Sequence, residues 1–449
     1  MPEQGPLESL PELYAEHLEE WNRRFSDACG AREVDGVVIF SGVEKQRFRD
    51  DNDYPFFAEP YFKAWVPENS PNAALKILPN KVPLLIFVAS ADLWHAPPDA
   101  PSGFWTEHFE VRRVASAAAL FKELGMPLPG MAALGEAADK AIGFATANDA
   151  ELLRRLDFHR AYKTAYEVAC IEEANRIAAA GHAATQTALA QEPSQQSEFQ
   201  LNQTYCQATR QREVELPYQN IVALNEHAST LHYQNLDRDP PGEFRSFLLD
   251  AGVEFNGYAS DVTRTVSGKT GEFDALIASM DGLQKRLCSE TRNGVSFIAL
   301  NDLTHRLLAE VLEDHRLIAC SAGEAYDRGI TRSFLPHGLG HLLGLQVHDA
   351  GGHLSTPDGK STPPPEEHPF LRLTRTLEPG FVVTIEPGLY FIPALLERLR
   401  NAPPAKLVDW DNVDSLTPYG GIRIEDNVLV TDAENRNLSR PALLQSGIS

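Results

Sequence analysis

RSFLLDAGVEFNGYASDVTRTV, residues 245–266, reads as two β-rich arms around Asn256-Gly257. Asn-Gly is the strongest short-range signal for a two-residue type I′ turn, because both central residues must take positive φ. With those two as the turn, Phe255 faces Tyr258, and the register carried outward sets Asp261 opposite Gly252. Asp250 lies on the same sheet face, so the two aspartates are diagonal cross-strand neighbours with Cβ atoms under ~8 Å apart. Gly252 leaves the gap between them free of a side chain of its own. Two carboxylates on one face repel and raise one pKa unless a cation lies between them. Read alone, the pair stays open between a cation site, which the apolar approach Phe247-Leu248-Leu249 favours, and two solubilising acids at a wet strand end.

Downstream, four of the 14 histidines fall within PHGLGHLLGLQVHDAGGH, residues 336–353. A lone histidine in an apolar stretch is usually a packed core residue, but this density argues for a site. Gly338, Gly340 and Gly344, set among His337, His341 and His348, predict a loop that approaches neighbouring backbone or substrate closely. Two glutamates stand in strand-like runs, Glu386 within 382–391 and Glu425 within 421–430. Ionised Glu in such runs is seldom buried without a partner. Arg423 shares a strand face with Glu425, and a simple ion pair between them is the plainer reading of that run. Together these positions supply Asp250, Asp261, His341, Glu386 and Glu425 as candidate metal ligands. Hard oxygen donors with one imidazole suit manganese, and less exclusively cobalt or zinc. Four carboxylates overcharge a single divalent ion. Two ions ~3.5–4 Å apart with a bridging hydroxide leave about one negative charge, so two is the expected count.

At 449 residues the chain is long enough for two or three domains of roughly 150 residues. The formal charge of -23 opposes nucleic acid and anionic lipid surfaces. No apolar run reaches the ~18 residues of a membrane span. MPEQGPLESLPELYAEH has neither a basic start nor an apolar core, so no secretory leader is expected. Five scattered cysteines without C-x-x-C fit a reducing cytoplasm and no disulfide framework. G-x-S-x-G, a complete phosphate loop and H-E-x-x-H are all missing.

Leu10, Leu13, Tyr14, Leu18, Trp21, Phe25 and Ala28 predict an amphipathic first helix, followed by strands near 35–40, 83–88 and 109–114. This is a small α/β domain over the first ~150 residues. Residues 148–190 read as nearly continuous helix, with Arg160, Lys163 and Glu167 forming a surface salt-bridge ladder. Beyond Pro193 strands dominate around 219–224, 244–250, 258–266, 381–391 and 421–430, with helices near 272–292 and 300–316. The loop DDNDYPF, residues 50–56, reads by itself as a solvated connection.

The order of these residues resembles the pita-bread metallopeptidases, and among them the bacterial Xaa-Pro dipeptidases (prolidases), close to the organophosphorus acid anhydrolases. The likeness rests on Asp250 and Asp261, the P-H-G-L-G-H-x-x-G-x-x-V-H-D segment, T-I-E-P-G around Glu386 and G-x-R-I-E-D around Glu425. It extends to DDNDYPF, PYFKAW (residues 60–65) and the Arg160, Lys163, Glu167 run. It implies an α/β N-terminal domain (1–157, dimerisation and a substrate-site loop) and an α+β pita-bread, creatinase/aminopeptidase-like catalytic domain (158–449). It further implies a homodimer with two manganese ions per subunit on Asp250, Asp261, His341, Glu386 and Glu425. By the same likeness His232 helps hold the substrate and the transition state and His348 lines the substrate pocket; the expected mechanism has His232 and His348 stabilise the oxyanion, with Glu386 as proton shuttle. His337 lines the substrate pocket, Arg423 anchors the proline carboxylate, and Asp51 reaches a neighbouring subunit's site. The implied activity is hydrolysis of dipeptides with C-terminal proline, with a weak organophosphate side activity. Phe297 stands where organophosphate-hydrolysing relatives carry Tyr, and the lost hydroxyl removes a donor worth ~1 kcal/mol. An aminopeptidase P-like exopeptidase and a non-catalytic pita-bread binding module are the alternatives.

Overall fold

In the computed structural model, Asn256 (φ 50°) and Gly257 (φ 87°) both take positive φ, as a type I′ turn requires. The structure describes residues 9–90, 93, 94, 96, 98–136, 138 and 142–448. The first eight residues, read above for a leader, lie outside them. The chain forms two compact units, Met1–Cys170 with Asn256–Tyr258 and Leu354–Lys360, and Ile171–Phe255 with Ala259–His353 and Ser361–Ser449.

The first unit contains α1 (Leu10–Arg32), β1 (Gly36–Phe40), α2 (Pro60–Trp65), β2 (Ala73–Ile77), β3 (Leu84–Val88), β4 (Glu110–Val114), α3 (Ala117–Leu124), β5 (Leu128–Leu134), β6 (Phe144–Ala147) and α4 (Ala150–Arg160). Its strands make one mixed sheet in the order β4-β3-β2-β1-β5-β6. Val38 and Phe40 of β1 pack with Leu120 and Leu124 of α3, so the β-branched run becomes a central strand buried throughout. The apolar stripe of α1 is buried as expected, but its buried face also holds His17 and Arg24. His17 bridges Ala64 O (2.7 Å) and Thr164 Oγ1 (2.8 Å).

The predicted ladder needs correction. Arg160, Lys163 and Glu167 are buried, at 3%, 8% and 2% exposure. The helix breaks between α4 and α5 (Ala165–Gln191), so the three residues do not share one helical face. Arg160 lies over the Tyr61 ring, Lys163 donates to Arg160 O, and Glu167 accepts from Thr164 N at the start of α5.

Helix α5 carries the chain into the second unit, which adds α6 (Glu198–Thr209), β7 (Ile221–Leu224), β8 (Ser246–Asp250), β9 (Glu254–Phe255), β10 (Tyr258–Ala259), β11 (Thr263–Ser267), α7 (Glu272–Glu290), α8 (Phe297–Asp314), α9 (Ala322–Asp327) and α10 (Thr331–Phe334). It closes with β12 (Val382–Ile385), β13 (Gly388–Tyr390), α11 (Pro393–Arg400), α12 (Trp410–Leu416), β14 (Gly421–Arg423), β15 (Asp426–Leu429), β16 (Arg436–Asn437) and α13 (Arg440–Gln445). Three sheets carry the site: β11-β8-β7, β12-β15-β16 and β13-β14. The long runs 381–391 and 421–430 are each split in two. Pro387 has no N–H to continue β12, and Glu425 turns its N–H away to Thr263 O (3.0 Å).

The register read from the turn holds. Thr263 pairs with Asp250 in the β8–β11 ladder, Ala251 N donates to Val262 O, and Ser260 N donates to Val253 O, which leaves Asp261 opposite Gly252. A Cβ on Gly252 would stand 1.9 Å from Ser260 O and 3.0 Å from the Tyr218 ring. Gly252→Ala is therefore expected to destabilise the chain by about 3 kcal/mol, the upper end of overpacking costs. A lower urea midpoint at unchanged slope would show it.

Candidate metal centre

Asp250 ends β8 and Asp261 precedes β11, and their carboxylates converge on one hydroxyl. Tyr218 Oη lies 2.8 Å from Asp250 Oδ1 and 2.7 Å from Asp261 Oδ1. Tyr218, not empty space, fills the gap that Gly252 leaves. Asp261 is held from the other side by Asn427, whose side chain bonds its N–H (3.2 Å) and its carbonyl (2.6 Å).

His341 and Glu386 are set by a second pairing. Residues 335–381 contain neither helix nor strand. Within them Leu339–Leu343 runs antiparallel beside β12: Glu386 N donates to Leu339 O, Thr384 N to His341 O, and Leu343 N to Val382 O, at 2.9–3.0 Å. A Cβ on Gly340 would meet Thr384 O at 2.0 Å, so this approach requires glycine. Thr384 Oγ1 accepts from His341 N (3.0 Å) and lies 3.4 Å from Glu386 Oε1. Glu425 enters through its bridge to Thr263, whose hydroxyl donates to Glu425 Oε2 at 2.6 Å.

Asp261, His341 and Glu425 are buried and offer ligand atoms all within 4.8 Å of one another. His341 Nδ1 lies 2.9 Å from Leu342 O, so it carries the hydrogen, and the neutral ring turns its Nε2 lone pair toward acids. Nε2 is 3.4 Å from Asp261 Oδ2 and 3.5 Å from Glu386 Oε1. Lone pairs facing one another at that spacing are relieved only by a proton or a cation. Burial opposes charge on His341, yet Asp261 and Glu386 hold its pKa above the ordinary value. Burial pushes Glu386, 18% exposed, up to about 7, with Asp261 reinforcing and His341 opposing. Burial and neighbouring carboxylates likewise raise Asp250 and Glu425. Four carboxylates, one imidazole and no thiolate fit hard to borderline divalent cations.

These shifts set the pH behaviour of the metal-free chain. A carboxyl whose folded pKa is raised binds more protons folded than unfolded, so stability falls as pH rises from its unfolded value through its folded one. For Glu386 that window is 4.5 to about 7, and the loss is about 3 kcal/mol at most. Unfolding of the metal-free chain across this range should show declining stability, and Glu386→Gln should flatten the decline.

Arg423 does not pair with Glu425. Its buried guanidinium donates to Asp250 Oδ2 (2.7 Å), Tyr390 Oη (2.9 Å) and Thr263 Oγ1 (3.3 Å). Tyr390 Oη in turn lies 2.8 Å from His337 Nε2. Burial and then Arg423 push His337 down to about 4, which keeps it neutral near pH 7. His348 sets its ring edge-on to His341 at 4.4 Å. His232 is exposed. Its loop is anchored by Glu198, which accepts from Leu224 N, Tyr233 Oη and Asp237 N and meets His227 Nδ1, all at 2.7–2.9 Å. Glu198, His227 and Asp237 also form a ligand-spaced group, but Glu198 already has donors on both oxygens. Asp51 is exposed in the first unit, on a turn closed by Arg47 N→Asn52 O and Tyr54 N→Lys45 O.

Sequence reasoning missed Tyr218, Thr263, Thr384, Tyr390 and Asn427. Thr263 was accessible, because it lies two residues after Asp261 on a β-arm and shares its face. Nothing in Leu216-Pro-Tyr-Gln-Asn220 separates Tyr218 from the other tyrosines.

A profile of metallopeptidase family M24 matches residues 169–432, and one described as the Xaa-Pro dipeptidase N-terminal domain matches residues 12–158. The Xaa-Pro dipeptidase of Shewanella pealeana is 44% identical over 437 residues, 97% of this chain and 99% of that protein. That of Xanthomonas campestris pv. campestris is 44% identical over 435 residues, 96% and 98% of the two chains. Among solved structures, a histidine variant of Escherichia coli aminopeptidase P superposes with TM-score 0.70 at 23% identity, covering 96% of this chain and 98% of that one. A zinc-substituted, product-bound form of that enzyme gives 0.68 at 22%, covering 95% and 98%. The α/β unit followed by a catalytic unit with clustered carboxylates is thus the architecture that the resemblance implied. The chain belongs to metallopeptidase family M24, the pita-bread metallopeptidases.

Proposed function

We propose that the chain is an Xaa-Pro dipeptidase, hydrolysing dipeptides with proline at the C-terminal position. The observation that carries this reading is the ligand-spaced group of Asp261, His341 and Glu425, with Glu386 beside His341 and Asp250 sharing the Tyr218 hydroxyl with Asp261, in a chain 44% identical, nearly end to end, to Xaa-Pro dipeptidases. The site is assigned two manganese ions, with cobalt or zinc as substitutes, on Asp250, Asp261, His341, Glu386 and Glu425. When bound, such ions supply a water of lowered pKa and polarise the scissile carbonyl. The chain's residues do the rest. Glu386 is drawn upward by burial and downward by His341, a balance near neutrality that suits it to pass a proton to the leaving imino nitrogen. His232 and His348 offer N–H donors to the developing oxyanion. His337 and Arg423 hold the proline end, and Asp51 from a neighbouring subunit meets the free amine. In this reading residues 1–157 serve dimerisation, residues 158–449 serve catalysis, and the homodimer works in the cytoplasm. Among the described residues no helix is long and apolar enough to cross a membrane.

The fold shared with aminopeptidase P favours one second reading, removal of an N-terminal residue from longer peptides. A binding module without catalysis does not call for a full set of five donors. The deciding experiment is a panel on the manganese-loaded chain: several Xaa-Pro dipeptides, Ala-Pro-Ala and a phosphotriester. Ala-Pro is expected to exceed Ala-Pro-Ala at least about a hundredfold in kcat/KM, a gap of ~2.7 kcal/mol. The triester is expected to turn over only weakly, because Phe297 lacks the hydroxyl. Equal or faster cleavage of the tripeptide would overturn the dipeptidase reading.

A further inference from the structure

We infer that Arg440, at the start of the last helix, is a positioning residue that braces the backbones carrying Glu386 and Glu425. Its whole fork is engaged. Nε donates to Asp426 Oδ2 (2.8 Å), Nη1 to Asp281 Oδ1 (2.9 Å) and Nη2 to Gln284 Oε1 (2.7 Å). Two branches lead from it to the site. Along the first, Asp426 Oδ1 accepts from Arg264 Nη2 (2.7 Å), and Arg264 Nη1 donates to the carbonyls of Thr263 and Glu425, both at 2.8 Å. Along the second, Gln284 Nε2 donates to Ile385 O (3.2 Å), the carbonyl immediately before Glu386.

Arg264 and Asp426 are 3% and 0% exposed, and buried charges persist only when paired and hydrogen-bonded. Here cations and acids alternate from Arg264 through Asp426 and Arg440 to Asp281, which also pairs with Lys285 (2.6 Å), so every charge in the brace has an opposite neighbour. It reaches Glu386 and Glu425 through peptide carbonyls and leaves their carboxylates free for ligation. Fixing the two peptide planes fixes where the glutamates project. Outer groups that orient metal ligands contribute about ten- to a hundredfold in affinity.

The inference rests on the reading that Glu386 and Glu425 hold the cations. It is tested on the full-length, metal-free chain by calorimetric titration with Mn²⁺ alone, beside thermal unfolding of each metal-free variant. Arg440→Gln is expected to weaken Mn²⁺ binding about ten- to a hundredfold. Arg440→Lys restores the charge beside Asp426 and should recover part of that loss. Gln284→Met severs the branch to Ile385, together with the Gln284 contacts to Arg440 Nη2 and Cys288 Sγ, but spares the branch through Asp426, and should weaken binding by a smaller factor. A purely structural role would lower the melting temperature and leave Mn²⁺ affinity alone. Affinities unchanged in both Arg440→Gln and Gln284→Met overturn the inference. If Arg440→Gln does not fold, unchanged affinity in Gln284→Met overturns it alone. Glu386→Gln separates the two ideas, because full Mn²⁺ affinity in that variant sinks the underlying site.

Discussion

Glu425→Ala is expected to abolish metal binding and turnover together, with kcat/KM falling about a thousandfold or more, beyond the 10–100-fold of an outer-group change. Glu425 is 1% exposed, and one of its carboxylate oxygens lies within 4.8 Å of ligand atoms from both Asp261 and His341. Removing it takes away the donor that joins the β14–β15 side of the site to the hairpin side. The fold itself should not suffer. Burial and three neighbouring carboxylates already raise Glu425 in the metal-free chain, so its deletion relieves repulsion. That relief opposes the loss of the acceptor for Thr263 Oγ1, so parent and variant should unfold within about 1 kcal/mol of each other without metal. With Mn²⁺ at a hundred times its dissociation constant the parent should gain about 2.7 kcal/mol and the variant nothing. Metal content, dipeptide turnover and paired unfolding curves check all three points, and full activity in the variant would refute the ligand assignment.

Arg423→Met is expected to cost about 3–5 kcal/mol of stability in the metal-free chain, the usual penalty for orphaning one partner of a buried ion pair. Asp250 loses its 2.7 Å partner, and Tyr390 loses the donor that aims its hydroxyl at His337. Turnover is expected to fall about a hundredfold, or ~2.7 kcal/mol in the barrier, with the loss shared between Mn²⁺ affinity and kcat. An Arg423 that served solely to grip a substrate carboxylate would instead raise KM at unchanged stability. Denaturant unfolding together with separate kcat and KM values distinguishes the two.

Much of the architecture was readable in the chain because its signals are local. The apolar stripe of α1, the runs that became β1, β3, β4, β8 and β12, and the glycine-spaced loop within residues 336–353 all follow from periodicity and turn chemistry. β2, β5 and β6 escaped notice because Ala-rich segments such as Ala73–Ile77 carry little strand signal, and sheet membership is settled by neighbours. The exposed ladder assigned to Arg160, Lys163 and Glu167 failed for a related reason. Charge spacing presumes an unbroken helix, and with the break after α4 the three side chains are buried instead of lying along one exposed face.

The sequence by itself determined the hairpin: Asn256-Gly257 dictates its turn, the turn dictates register, and register alone sets Asp261 opposite Gly252 beside Asp250. Only the tertiary structure decided what surrounds that pair. Arg423 meets Asp250 across 173 residues of chain, and Thr263 meets Glu425 across 162. Tyr218 occupies the space that Gly252 leaves open. Turn and strand preferences act over a few residues. Pairings of such separation arise when whole sheets dock, and they are chosen by burial and charge balance among surfaces that no local pattern records.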